Sequence, residues 1–316
     1  MTINPAAPAV STRALRKSFG DKVVLDGIDL RVAAGTVFAL LGPNGAGKTT
    51  MVQILSTLIG ADGGELRVAG RDLARDPDAV RSAIGVTGQF SAVDQLLTGE
   101  ENLLLMADLR HLDPAEGRRR AAELLERLDL AAAARKPAGT YSGGMRRRLD
   151  LAMTLVGHPR MIFLDEPTAG LDPRSRRTMW QIIRELVAGG VTIFLTTQYL
   201  EEADELADQV AVLDHGRLIA EGAPDELKRR IPGGHVRLQF ADQEGLESAA
   251  HALDASARDD DALTLEVPSD GGVRSLRVLL DRLDRASVEV DSLSVHLPDL
   301  DDVFLALTDR ETEAVR

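Results

Sequence analysis

Several stretches of this chain are apolar without interruption. Val37-Phe38-Ala39-Leu40-Leu41 and Met161-Ile162-Phe163-Leu164 have the pattern of strands buried on both faces of a parallel sheet. Residues 191–197 and 210–213 read the same way, and helical periodicity follows at 50–58, 174–188 and 200–207. This alternation of strand and helix predicts an α/β core. Ahead of it, residues 11–32 alternate in short strands around the turn Phe19-Gly20-Asp21-Lys22, and residues 63–70 form another strand between turns. A short helix over 78–83 leads to a strand over 84–89, ending in Gln89.

Periodic helices over 94–112 and 114–128 then interrupt the α/β rhythm, with Leu103, Leu104, Met106 and Ala107 on one face and Leu124, Leu125 and Leu128 on another. From about residue 228 the rhythm changes again, to strands at 236–240, 263–267 and 288–297 and helices at 243–253, 273–285 and 300–308. The expected organisation is a tail over 1–10, a main domain over 11–227 with a helical insertion over about 91–157, and a small α+β domain over 228–316. The loop Arg258-Asp259-Asp260-Asp261 reads as solvent-exposed rather than calcium-binding.

Composition narrows the functions. A net charge of −13 disfavours broad electrostatic binding to nucleic acid or an anionic lipid surface. The absence of cysteine removes disulfides, thiolate metal sites and a cysteine nucleophile. Met1–Val10 has neither a positive n-region nor an apolar h-region, so it reads as a frayed tail and not as a secretory signal. No apolar run approaches the ~18–20 residues that span a bilayer, so a membrane role is expected to pass through a partner.

The chemistry begins at Gly42-Pro43-Asn44-Gly45-Ala46-Gly47-Lys48-Thr49-Thr50, a glycine-rich phosphate loop between strand and helix. A triphosphate needs several donors converging on it, and backbone N–H groups converge only where side chains do not intrude. The following helix adds its open N–H groups and positive dipole end, Lys48 a full charge and Thr49 a hydroxyl for Mg²⁺. At the end of the apolar run 161–164, Asp165 is placed to hold Mg²⁺ and Glu166 to polarise an attacking water. Tyr141-Ser142-Gly143-Gly144-Met145 precedes a periodic helix; with Ser142 as N-cap it forms a second anion site, although the tripeptide alone also fits an ordinary loop. Arg146-Arg147-Arg148 reads as a solvated face, with a phosphate or acidic partner nearby as an option. For Phe19, one of few aromatics, stacking on a base (roughly 1–3 kcal/mol) and core filling both stand.

Taken together, the phosphate loop, Gln89, Ser142-Gly143-Gly144, Leu164-Asp165-Glu166-Pro167 and Gly170-Leu171-Asp172 resemble the ATPase subunit of ABC transporters. The tail at 298–308 is similar to that of drug-exporter ATPases of the daunorubicin-resistance type. The resemblance implies a P-loop NTPase core of ABC ATPase type with an antiparallel β subdomain, ATP and Mg²⁺ as ligands, and two copies closing head to tail on ATP. It also implies that Phe19 stacks on adenine, Gln89 senses Mg²⁺ and the membrane partner, and Asp172 communicates between the two sites. The implied role is an ATPase at the cytoplasmic face of the membrane, powering efflux of a drug-like or other hydrophobic compound through a separate permease. Export of a lipid, glycan or peptide, or a soluble ABC ATPase acting on DNA or ribosomes, is the alternative.

The chain departs from the family pattern at Tyr141 and Met145, where leucine and glutamine are common, and at Gln198, where a switch histidine is usual. A glutamine amide donates a hydrogen bond to the γ-phosphate but cannot become cationic or carry a proton. Glu166 is therefore expected to carry the base function and Gln198 to orient phosphate and water. The tail domain is open between a clasp for the dimer, a contact with the permease and a simple cover for the core.

Overall fold

The computed structural model describes residues 8–88, 92–230 and 234–306, and the chain divides into two compact units, Met1–Pro224 and Asp225–Arg316. In the first unit the continuous apolar runs are buried at every position, in strands Val37–Leu41, Met161–Asp165 and Thr192–Thr197. With Ile84–Thr87, Gln209–Asp214 and Arg217–Gly222 they form a six-stranded sheet in the order 217–222, 209–214, 37–41, 192–197, 161–165, 84–87. All neighbours are parallel except the hairpin 209–222. Leu41 pairs with Thr197, Asp165 with Thr196 and Thr87 with Leu164, so four strands reach their carboxyl ends at one edge. That is where open α/β sheets present ligands. Phe38 and Phe163 pack on Phe194 with centroids 5.2 and 5.5 Å apart, joining the central strands across the sheet.

A second, antiparallel sheet runs 22–32, 10–19, 63–68, 71–72 and shares one core with the helix Lys48–Leu55, whose Met51, Ile54 and Leu55 are fully buried. The insertion holds helices Gly99–Leu109, Pro114–Arg127 and Gly143–Leu155. The first of these starts later than the expected residue 94. Thr98 and Glu101 form a capping box, each side chain accepting from the other's backbone N–H, and this start signal outweighs the apolar periodicity before it. Residues 94–97 instead fold over the fully buried Asn102, whose Oδ1 accepts from Asp94 N (2.9 Å) and whose Nδ2 donates to the carbonyls of Asp94 (3.0 Å) and Thr98 (2.9 Å).

The second unit has an antiparallel sheet in the order 257–259, 264–268, 235–239, 292–296, with helices Gln243–Ala252 and Val273–Arg285. Val236, Leu238, Leu246, Leu265, Val267, Leu279 and Leu283 form its core. The strand Ala257–Asp259 takes half of the expected charged loop, because Arg258 pairs with Leu265 in the ladder. Asp259 Oδ1 accepts from the N–H groups of Asp261 and Ala262, which closes the turn after it. The last strand is Ser292–His296, shorter than the expected 288–297, with Val288 and Val290 packed on the core from outside the ladder. Residues 300–306 are helical, and the rest of the expected 300–308 helix lies outside the described residues.

Asn102→Ala removes the three side-chain hydrogen bonds that hold the backbone at Asp94 and Thr98, so we expect it to cost about 2–4 kcal/mol of stability, read as a lowered midpoint in urea unfolding.

Candidate nucleotide site

The loop from Gly42 to Gly47 is clamped from two sides. A Cβ on Gly42, at φ +155°, would lie 2.2 Å from Leu213 O, and one on Gly47, at φ +112°, would lie 2.8 Å from Leu25 Cδ2 and 2.9 Å from Val24 O. Neither position admits a larger residue. Gly47 begins the helix Lys48–Leu55 with no side-chain cap, which leaves the first-turn N–H groups to the loop. Pro43, Asn44, Gly45 and Thr49 are exposed, Thr50 is half-buried and Ala46 is buried. Lys48 Nζ lies across the loop, donating to Gly42 O (2.7 Å) and Pro43 O (3.0 Å). Burial lowers its pKa, and the charges of Glu166 and Asp165 oppose that shift.

Asp165 is buried and accepts a hydrogen bond from Thr196 Oγ1. Glu166 has a left-handed backbone, φ +48°, and its N–H donates to Thr196 O (3.1 Å) and Oγ1 (3.3 Å). That conformation costs about 1–2 kcal/mol in a non-glycine residue, so its neighbours hold it. Gln198 follows the strand Thr192–Thr197 at the same sheet edge and is exposed. Gln89 lies outside the described residues; Gly88 before it reaches this edge. Among the described residues no cluster of three or more His, Cys, Asp or Glu could hold a metal by itself. Asp165 and Thr49 supply hard oxygen donors that fit Mg²⁺ when phosphate oxygens complete its shell.

Phe19 is 53% exposed, with Lys17 Nζ 5.2 Å from its ring centroid, so it does not fill the core. It pairs with Lys22 at the turn of the hairpin whose Val24 and Leu25 press on Gly47. At the second helix start, Ser142 Oγ accepts from Met145 N (3.2 Å), and Ser142 and Gly143 are exposed. Gly144 is buried: a Cβ there would lie 2.5 Å from Ser175 Oγ. Ser175 Oγ donates to Asp172 Oδ2 (2.6 Å), while Asp172 Oδ1 caps the helix Pro173–Ala188 by accepting from Arg174 N and Ser175 N. The Ser175 hydroxyl and these N–H groups hold the Asp172 carboxyl below its usual value.

Two of the three arginines, Arg147 and Arg148, do not lie on a solvated face. The Arg148 side chain is 15% exposed and donates to the carbonyls of Leu128 (2.9 Å) and Asp129 (3.2 Å), the C-terminal end of the helix Pro114–Arg127. Arg147 is more deeply enclosed and turns toward the carbonyls beside Glu166. Glu202 is also fully buried, its Oε1 accepting from Thr168 Oγ1 (2.8 Å) and Trp180 Nε1 (3.1 Å). It joins the segment after Gln198 to the one after Pro167. Nothing in the local sequence separates these side chains from surface charges.

The family described as ABC transporter matches residues 25–169, and the C-terminal domain of DrrA1-3-like ATP-binding proteins matches 222–308. The chain is 49% identical over 305 residues to the daunorubicin resistance ATP-binding protein DrrA3 of Streptomyces coeruleorubidus, covering 96% of each. It is 47% identical over 315 residues to the daunorubicin/doxorubicin resistance ATP-binding protein DrrA of Streptomyces peucetius (96% and 95% covered), and 38% over 309 residues to the Nod factor export ATP-binding protein I of Paraburkholderia xenovorans (96% and 98%). Among solved structures, a nucleotide-free ATP-binding cassette from an ABC transporter is similar at TM-score 0.64 and 27% identity, covering 70% of this chain and 94% of that one. A dimeric cassette in a post-hydrolysis state bound to ADP and Pi is similar at TM-score 0.62 and 26% identity, covering 68% and 98%.

Burial raises the pKa of Glu202 despite its hydrogen bonds. A carboxyl with a raised folded-state pKa stabilises the fold below its unfolded value, about 4.3, and that contribution is lost as pH rises through the folded value. Glu202→Gln, an isostere of the protonated form, is expected to flatten this fall, checked by urea unfolding at a series of pH values from about 4 upward.

Proposed function

The chain belongs to the ABC transporter ATP-binding proteins of the DrrA type, and on that premise we propose that it hydrolyses ATP between two copies and thereby powers efflux of a drug-like, hydrophobic compound through a separate membrane permease. The observation that carries the reading is the shared sheet edge: the phosphate loop after Leu41, the pair Asp165 and Glu166, and Gln198 after Thr197 stand in one register. The names of the DrrA relatives support a drug as cargo, and the relative named for Nod factor export keeps a wider class of exported compound in view.

In this reading the backbone N–H groups from Gly42 to Gly47 and the Lys48 ammonium cradle the β- and γ-phosphates, and Phe19 stacks on the base. Lys48 exchanges its two carbonyl partners for phosphate oxygens. Thr49, Asp165 and Gln89 would hold Mg²⁺, which when bound would neutralise charge on the transferring phosphoryl group. Glu166 takes the proton of the attacking water, and the Gln198 amide orients water and γ-phosphate. Ser142, Gly143 and Gly144 of a second copy close over the same γ-phosphate, and the dimeric relative supports the pairing of two cassettes. Asp172, bonded to Ser175 against Gly144, is suited to relay between the two sites. No helix among the described residues is long and apolar enough to cross a membrane, which accords with a chain docked on a permease at the cytoplasmic face.

Differential contact of the ATP-bound and released states with the permease does the work. Glu166→Gln in the complex with its permease is expected to lower ATP turnover at least a hundredfold, about 2.7 kcal/mol of transition-state stabilisation, and Gln198→Ala to lower it less. Near-full turnover in Glu166→Gln would refute the assignment. Purification of the tagged chain from membranes is expected to bring a permease with it; recovery with ribosomes or DNA and no permease would overturn the transport reading.

A further inference from the structure

The Arg147 guanidinium belongs to the helix Gly143–Leu155 but spends its donors elsewhere. Nε donates to Pro167 O (2.9 Å), Nη2 to Asp165 O (2.9 Å) and Glu166 O (3.2 Å), and Nη1 to Gly88 O (2.9 Å) and Asp150 Oδ2 (3.4 Å). The side chain is 12% exposed. One planar fork therefore grips three successive carbonyls around the left-handed Glu166 and a fourth beside Gln89. The same helix is fixed on the neighbouring strand at its far end, where Thr154 Oγ1 meets Thr87 Oγ1 at 3.2 Å and Gly85 has no room for a Cβ, which would lie 2.3 Å from Thr154 Cγ2. With both ends anchored, the helix start at Ser142 cannot shift without pulling on the carbonyls that shape the Glu166 turn.

We propose that Arg147 is a positioning residue for hydrolysis: it holds the backbone of Asp165–Glu166–Pro167 in the conformation that aims Glu166, and ties it to the helix whose Ser142 end serves the other copy. This rests on the ATPase reading above. Among the described residues, none of the Arg147 hydrogen bonds reaches the phosphate loop at 42–50, so its loss is expected to separate turnover from binding. Lysine keeps the charge but, as a single point donor, cannot span Pro167 O and Gly88 O together.

The test uses the complex with its permease and compares Arg147→Ala, Arg147→Lys, Glu166→Gln and the double variant Arg147→Ala/Glu166→Gln. Affinity for a fluorescent ATP analogue and KM are expected to stay within about twofold of wild type, while kcat falls at least tenfold in Arg147→Ala and less in Arg147→Lys. Because Arg147 acts through Glu166, the double variant is expected to be no slower than Glu166→Gln alone. A double variant slowed by the full Arg147→Ala factor, or an Arg147→Ala kcat equal to wild type, would overturn the proposal. Should Arg147→Ala fail to fold, Arg147→Lys decides: reduced kcat at unchanged KM supports it, and wild-type kcat or a raised KM overturns it. A wild-type complex that binds ATP without turnover would overturn the underlying reading, and this one with it.

Discussion

The pairing of Leu41 with Thr197 and of Asp165 with Thr196 is the constraint on which the site depends. Three buried strands must end at the same height for a phosphate loop, a carboxylate pair and the Gln198 amide to face one volume. A slip of one residue would move a strand end by about 3.3 Å and turn its side chains to the other face of the sheet. The packed rings of Phe38, Phe194 and Phe163 oppose such a slip from inside the core, and the Thr196 hydroxyl locks Asp165 from the site side. Packing and chemistry are in this way fixed by one register.

The chain also exposes a second helix start, which in the proposed reading serves the nucleotide of another copy. Ser142 and Gly143 are exposed at the start of the helix Gly143–Leu155, while Gly144 is buried because Ser175 occupies the space a side chain would need. The small residues thus have separate reasons: Gly143 leaves the helix start uncovered, and Gly144 permits close packing beneath it. Ser175 then links this helix to Asp172, and Arg147 links it to Glu166. In the proposed reading, a helix that serves one nucleotide is thus bonded to the backbone of the acidic pair that serves another.

Much of this was legible in the sequence where the cause is local. Continuous apolar runs located the buried strands, and the glycine spacing located the loop, because a phosphate cradle and a doubly covered strand each impose their own residue pattern. The start of the helix at Gly99 was legible too, had the Thr98–Glu101 capping pair been weighed above periodicity. The strand Ala257–Asp259 was hidden because its ladder partner, the strand Thr264–Pro268, lies across a turn and its own residues are all exposed. Arg147 and Arg148 read as a solvated face, since their partners are carbonyls brought in by tertiary folding. A buried ion satisfied by backbone groups leaves no mark on neighbouring residues.

The central claim is that each ATP is turned over between the loop of one copy and the Ser142–Gly144 face of another. Mixing two defective chains in the permease complex tests it: Lys48→Ala lacks a working loop, and Gly143→Glu sets a carboxylate against the phosphate at a position where an added Cβ meets nothing nearer than Leu171 Cδ2 at 4.0 Å. Each alone is expected to be inactive, and the mixture to regain ATP turnover, since one composite site in each mixed pair keeps both intact halves. A mixture as inactive as its components, with mixed pairs demonstrably formed, would contradict the account.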